Sequence, residues 1–154
     1  MNLSRYPIDA PKSPETQRLI SDCRSKLAET GMCLLPNFVS GTTLDCMRQE
    51  ATALSPSAHY NEHWRTSPRG GGDSKIGEST QATRASIWAI AFDQMRPESP
   101  SRQLYESDDL LNFVSAITDD PELYRCVDPL VSCHFSVFRD GDELGWHYDP
   151  KTNL

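Results

Sequence analysis

His147 and Asp149 stand two positions apart in the stretch RDGDELGWHYDP, residues 139–150, where the sequence reads most clearly as metal chemistry. In an extended segment, residues two apart point to the same side, so an imidazole nitrogen and a carboxylate oxygen can face one ion. Pro150 disfavours a helical conformation at Asp149 and supports that extended reading. Neutral imidazole beside carboxylate suits a borderline divalent metal. A face of two histidines and one carboxylate with open positions points to non-haem Fe(II). A bare His-x-Asp is nevertheless a common pattern, and its ordinary alternative is a strand-end histidine beside an exposed aspartate. The acidic DGDE at 140–143 lacks the spaced oxygen ligands of a calcium loop.

The other histidines are His59, His63 and His134. His59 and His63 have the HxxxH spacing of a helical metal site, but no glutamate directly follows the first, and the helix signals around them are weak. They fall in residues 55–84, a stretch rich in Ser, Gly, Pro and charge that reads as a long loop, either a substrate cover or plain surface. Its Gly70-Gly71-Gly72 run follows no expected strand and precedes no Lys-Ser/Thr, which argues against a phosphate loop.

The elements that would position these residues are legible in part. Residues 1–12 are polar and Pro-bearing, and read as a flexible lead-in to a domain spanning 13–154. Ser13-Pro14-Glu15 starts a helix with Leu19, Ile20, Cys23 and Leu27 on one stripe, and Gly31 is placed to end it. GMCLLPNFVS, 31–40, is expected to be a short strand. Ser40 caps a second helix with the stripe Leu44, Met47, Ala51 and Leu54, ended by Pro56. RASIWAIAFD, 84–93, is a second expected strand. Ser107-Asp108-Asp109 opens a third helix with Leu110, Phe113, Val114 and Ile117 inward, and Pro121-Glu122-Leu123 is a candidate short helical turn. The last strand places Val131, Cys133, Phe135 and Val137 on one face and Ser132, His134, Ser136 and Phe138 on the other, before an Asp140-Gly141 turn. Helices leading into strands give an α+β class.

The bulk properties narrow the function. A chain of 154 residues with formal charge −7 and no polybasic run argues against nucleic-acid or anionic-membrane binding. No segment has the length of a membrane span, and the start has no apolar core of signal-peptide length, so the expected location is cytoplasmic. Five cysteines without CxxC spacing read as small buried apolar residues rather than a disulfide framework or zinc site.

Counting back from His147 gives Phe138-x-x-Gly141-x-x-Leu144-x-x-His147-x-Asp149, which resembles the first half of the active site of Fe(II)/2-oxoglutarate-dependent oxygenases. ETGMCLLPNFVSGTTLDCMRQEATAL, 29–54, is similar to the entry segment of the same superfamily. VDPLVSCHFSVFRDGDELGWHYDP, 127–150, is similar to the branch of free-amino-acid hydroxylases and halogenases. The resemblance covers residues 15–154 and is strongest at 28–54 and 127–150. It implies N-terminal helices packed on a partial double-stranded β-helix, or jelly-roll, sheet, with Fe(II) and 2-oxoglutarate as cofactors and a small-molecule substrate, a free amino acid being the leading candidate. It implies His147 and Asp149 as metal ligands. Halogenating members have glycine in place of that carboxylate, so Asp149 favours hydroxylation.

The family pattern is departed from in two respects. Phe138 stands where many relatives have a tyrosine that hydrogen-bonds 2-oxoglutarate, which leaves Ser136 and His134 of the same face as candidates for polar cofactor contacts. The family's second histidine, and the Arg or Lys that binds the 2-oxoglutarate carboxylate, lie downstream of the aspartate, whereas this sequence ends at Leu154. The expectation is therefore a truncated or fragmentary oxygenase domain. The alternatives are a non-catalytic binding or assembly module, and a site completed by His59, His63, His134 or a partner chain that also completes the sheet. A metal-free α+β binding domain, with Trp146 and Tyr148 as core or contact aromatics, is a further reading.

Overall fold

The structure, a computed structural model, describes residues 1–67, 81–130 and 132–145. Its class is α+β: four α-helices and a three-stranded antiparallel sheet among the described residues. The described residues divide into two compact units, one formed by residues 1–50 and 95–126, the other by those of 51–94 and 127–145.

In the first unit, α1 (Pro14–Thr30) begins as its sequence dictates. The Ser13 hydroxyl accepts from the Thr16 N–H, Pro14 occupies the first turn, and Gly31 closes the helix at φ 70° with its N–H donating to Leu27 O. α2 (Gly41–Leu54) starts behind Ser40, whose hydroxyl accepts from the Thr43 N–H. α4 (Asp108–Thr118) is capped by Ser107. α1 packs on α4, and Arg24 donates to Ala116 O and to the Asp119 carboxylate, a cation at a helix C-terminus where the dipole favours it. The core is built on Tyr6, Ile8, Cys23 and Phe113, with Leu19, Ile20, Leu110 and Ile117 packed around them.

Several expectations are corrected in this unit. Within residues 1–12, Tyr6 and Ile8 are buried in the core, with Ile8 only 2% exposed, while residues 9–12 are exposed. The segment is tied down by Asn2 N–H to Phe38 O at 2.7 Å, Tyr6 Oη to Pro36 O at 2.8 Å and Thr16 Oγ1 to Pro7 O at 2.6 Å. Residues 31–40 do not form a strand: Cys33 and Leu35 turn inward in alternation, but no neighbour pairs their backbone into a ladder. Leu44 faces solvent and α2 buries no residue fully, so its stripe covers the unit only loosely. A short helix, α3 (Pro100–Tyr105), lies where no element was expected, opened by Ser99-Pro100 with the Ser99 hydroxyl accepting from the Arg102 N–H. Pro121-Glu122 makes a turn and no helix follows.

The second unit holds β1 (His59–Ser67), β2 (Gln81–Ile90) and β3 (Phe135–Val137), in the order β1-β2-β3. The long loop expected over 55–84 is corrected: residues 59–67 and 81–84 are strand, and residues 68–80, with the triple glycine, lie outside the described residues. Tyr60 pairs with Trp88 and His63 with Ala85, giving β1 and β2 nine paired positions from His59↔Ala89 to Ser67↔Gln81. β2 stops at Ile90 because the chain turns at Phe92–Gln94, where the Gln94 side-chain oxygen accepts from the Ala91 N–H. β3 is shorter than its alternating pattern promised, since Ser132 is folded into a turn by its N–H bond to Asp128 O.

Candidate functional site

The approach to His147 runs along β2. Val137 pairs with Trp88 and Leu144 bridges Ala85, so seven residue steps on this side match three on β2. The four surplus residues are looped out at the Asp140-Gly141 turn, and the chain then continues in the same direction beside β2. Gly141 has φ 87°, a conformation that glycine adopts without a Cβ clash, and the turn closes with Asp142 N–H to Arg139 O. Beyond it the chain is fastened to the fully buried Ser86 by two bonds: Ser86 N–H donates to Glu143 O at 2.7 Å, and Glu143 N–H donates to Ser86 Oγ at 3.0 Å. Gly145 N–H then donates to Arg84 O. His147 and Asp149, the expected metal ligands, lie outside the described residues, as do Trp146 and Tyr148.

Opposed residues of an antiparallel pair share a sheet face, so the register sorts the candidates. One face carries His59 and His63 of β1, Ala89 and Ala85 of β2, and Ser136 of β3. Ser136 is exposed, as are His134 and Phe138 in alternation with it, while Cys133, Phe135 and Val137 are half-buried. Burial pushes the Cys133 thiol above its ordinary pKa, in keeping with its inward side. The expected alternation of this segment therefore holds where it is described.

The spacing separates the three histidines. On a helix His59 and His63 would be neighbours, but on a strand four residues span about 13 Å, too far for two imidazoles to meet one ion. His59 lies across two strand spacings from Ser136, about 10 Å between backbones, and His134 lies two residues further along. Among the described residues, no group of three His, Cys, Asp or Glu side chains is placed to hold a metal. The donor set His147 and Asp149 fits Fe(II) in kind.

The opposite face holds a network that the sequence reading missed. Arg84 Nε donates to Glu62 Oε1 at 2.9 Å, and Tyr60 Oη donates to Glu62 Oε2 at 2.8 Å. A further Arg84 nitrogen donates to Gly141 O at 3.3 Å, joining β2 to the turn ahead of the candidate ligands. The bond from Tyr60, and then the one from Arg84, holds the Glu62 carboxyl below its ordinary pKa. The bond to Glu62 raises Tyr60, and the same carboxylate raises Arg84. The Trp88 ring lies 5.1 Å from that of Tyr60, and the Arg139 guanidinium sits 3.7 Å over it. The two-residue alternation of Tyr60, Glu62 and Trp64 was a signal for β1, masked by the polar composition around it.

In the first unit, a groove of about 350 Å³ is lined by α2 and α3 residues including Thr43, Cys46, Met47 and Gln103, with no charged side chain on its wall. It offers shape and few means of chemistry. No helix among the described residues is long and apolar enough to cross a membrane.

No family model matches this sequence, and no curated protein or solved structure matches it significantly.

Proposed function

We propose that this chain is the first-ligand portion of an Fe(II)/2-oxoglutarate-dependent oxygenase of the hydroxylase type, acting on a small molecule, with a free amino acid as the leading candidate. One observation carries the reading: the ordered pattern from Phe138 through Gly141 and Leu144 to His147 and Asp149. The positive φ of Gly141 and the bridge at Leu144 support it, because they make the segment a fixed approach beside β2. In this reading the sheet is part of a jelly roll. His147 and Asp149 hold the metal, and Ser136, exposed on its strand, offers a hydroxyl to the cofactor carboxylate. Fe(II) with 2-oxoglutarate supplies C–H oxidation when bound; the protein orients the substrate and excludes water.

A second reading, a non-catalytic binding or assembly module, is favoured by the outer strands β1 and β3, which have no further strand neighbour among the described residues. The two are separated by measuring 2-oxoglutarate consumption by the natural full-length product, with and without Fe(II), over a panel of amino acids. Iron-dependent consumption supports the oxygenase. A stably folded product with no consumption in any condition overturns it in favour of the binding module.

A further inference from the structure

The sequence reading treated all five cysteines as inert apolar residues, but the fold brings two of them together. Cys23 sits on the inner face of α1 with 2% exposure. Gly31 ends that helix in the left-handed region, and the following residues alternate, Met32 and Leu34 outward at 66% and 71% exposure, Cys33 and Leu35 inward against the core cluster. The Cys33 side chain thereby packs against the cluster that contains Cys23, where it helps raise the Cys23 thiol above its ordinary pKa. We propose that Cys23 and Cys33 are an oxidation site, joined as a disulfide by a peroxide and released by a dithiol reductant.

The geometry assigns the order of events. Cys33 is half-buried and so the more accessible thiol, whereas Cys23 is enclosed. Burial, and then the Cys33 neighbour, push Cys23 up to about 12, so it is almost wholly protonated at neutral pH and a poor first nucleophile. Cys33 sulfur attacks the peroxide, the O–O bond breaks, and a sulfenic acid and one water form. Cys23 sulfur then attacks the Cys33 sulfur, the S–O bond breaks, and the departing hydroxide takes the Cys23 proton as a second water. Two thiols lose two electrons and hydrogen peroxide gains them. The scarcity of Cys23 thiolate makes the second step the slow one, so the Cys33 sulfenic acid should persist long enough to be trapped.

The test is to treat the reduced chain with hydrogen peroxide, alkylate it in denaturant and map it by mass spectrometry. The expected result is a Cys23–Cys33 linked peptide and a loss of about 2 Da, reversed by dithiothreitol. The link should also raise the thermal midpoint of the helical signal by about 5–10 °C, because it closes a short loop in the unfolded chain. Dimedone added with the peroxide should label Cys33 and not Cys23, and Cys33→Ser should abolish the link while leaving the fold intact. Finding both thiols alkylated after oxidation, or either one joined to another cysteine, overturns the assignment.

Discussion

Replacing Ile8 by alanine tests the least expected feature of the fold, the burial of Tyr6 and Ile8 from the first twelve residues in the core. Ile8 is 2% exposed and belongs to the cluster with Tyr6, Cys23 and Phe113. The substitution removes three carbons, about 0.8 kcal/mol each in lost burial, or about 2.4 kcal/mol together. Incomplete collapse of the resulting cavity adds to this, giving a total of about 3 kcal/mol. With a urea slope of about 2 kcal/mol/M, the midpoint should fall by about 1.5 M. The assay is urea unfolding followed by circular dichroism at the helical band, with Ile8→Val expected to cost about 1 kcal/mol. Asp9→Ala is the control, since Asp9 is exposed and should change stability by less than about 0.5 kcal/mol. If Ile8→Ala is as mild as Asp9→Ala, residues 1–12 are a loosely attached lead-in and the packing described for Tyr6 and Ile8 is wrong.

Three further outcomes follow from the geometry. Ser107→Ala should cost about 1 kcal/mol in the same unfolding assay by removing the hydroxyl that caps α4, and an unchanged midpoint would mean that the cap bond is not made. Ser86→Ala leaves the Glu143 N–H without its acceptor, so about 1–3 kcal/mol should be lost and exchange of the Glu143 amide should accelerate. Glu62 is held below its ordinary pKa, so its contribution to stability is present above that ordinary value and is lost as the pH falls through the lower, folded one. An NMR titration of its carboxyl carbon should show the depressed midpoint, Tyr60→Phe and Arg84→Gln should each raise it, and a midpoint at the ordinary value in the unaltered chain would refute the network.

What the sequence showed of this fold depended on how local the cause was. Ser13, Gly31, Ser40 and Ser107 act on their own turns, and the helix ends they predict are where the structure has them. The same Ser-Pro signal at Ser99-Pro100 opens α3, and was overlooked because that helix of six residues has no stripe to announce it. Strands were harder, because a strand exists only with a partner. The apolar 31–40 looked like one and has no ladder, while polar 59–67 is β1 because β2 pairs with it along its whole length. Tyr6 and Ile8 lie in a segment without periodicity, and their burial depends on Pro36, Phe38 and Phe113, far away in the chain.

The candidate site was legible as a pattern of residue types rather than as an arrangement. The Gly141 turn and the alternation of Cys133 to Phe138 follow from local chemistry and are found. The double bond between Ser86 and Glu143, and the Arg84 link to Gly141, bring together residues 57 positions apart, which no spacing rule could reveal. The HxxxH spacing of His59 and His63, discounted already for its weak helix signals, has metal-binding meaning only on a helix, and β1 stretches it out.

Binding of one ion by His147 and Asp149 is what the oxygenase proposal requires, and anaerobic titration of Fe(II) into the chain tests it most directly. Binding should be measurable but weak, with one site, and should weaken at least about tenfold in both His147→Ala and Asp149→Ala, while His59→Ala and His63→Ala bind as the unaltered chain does. Iron binding indifferent to both His147 and Asp149, or the absence of any binding by a folded chain, would contradict the oxygenase reading at its root.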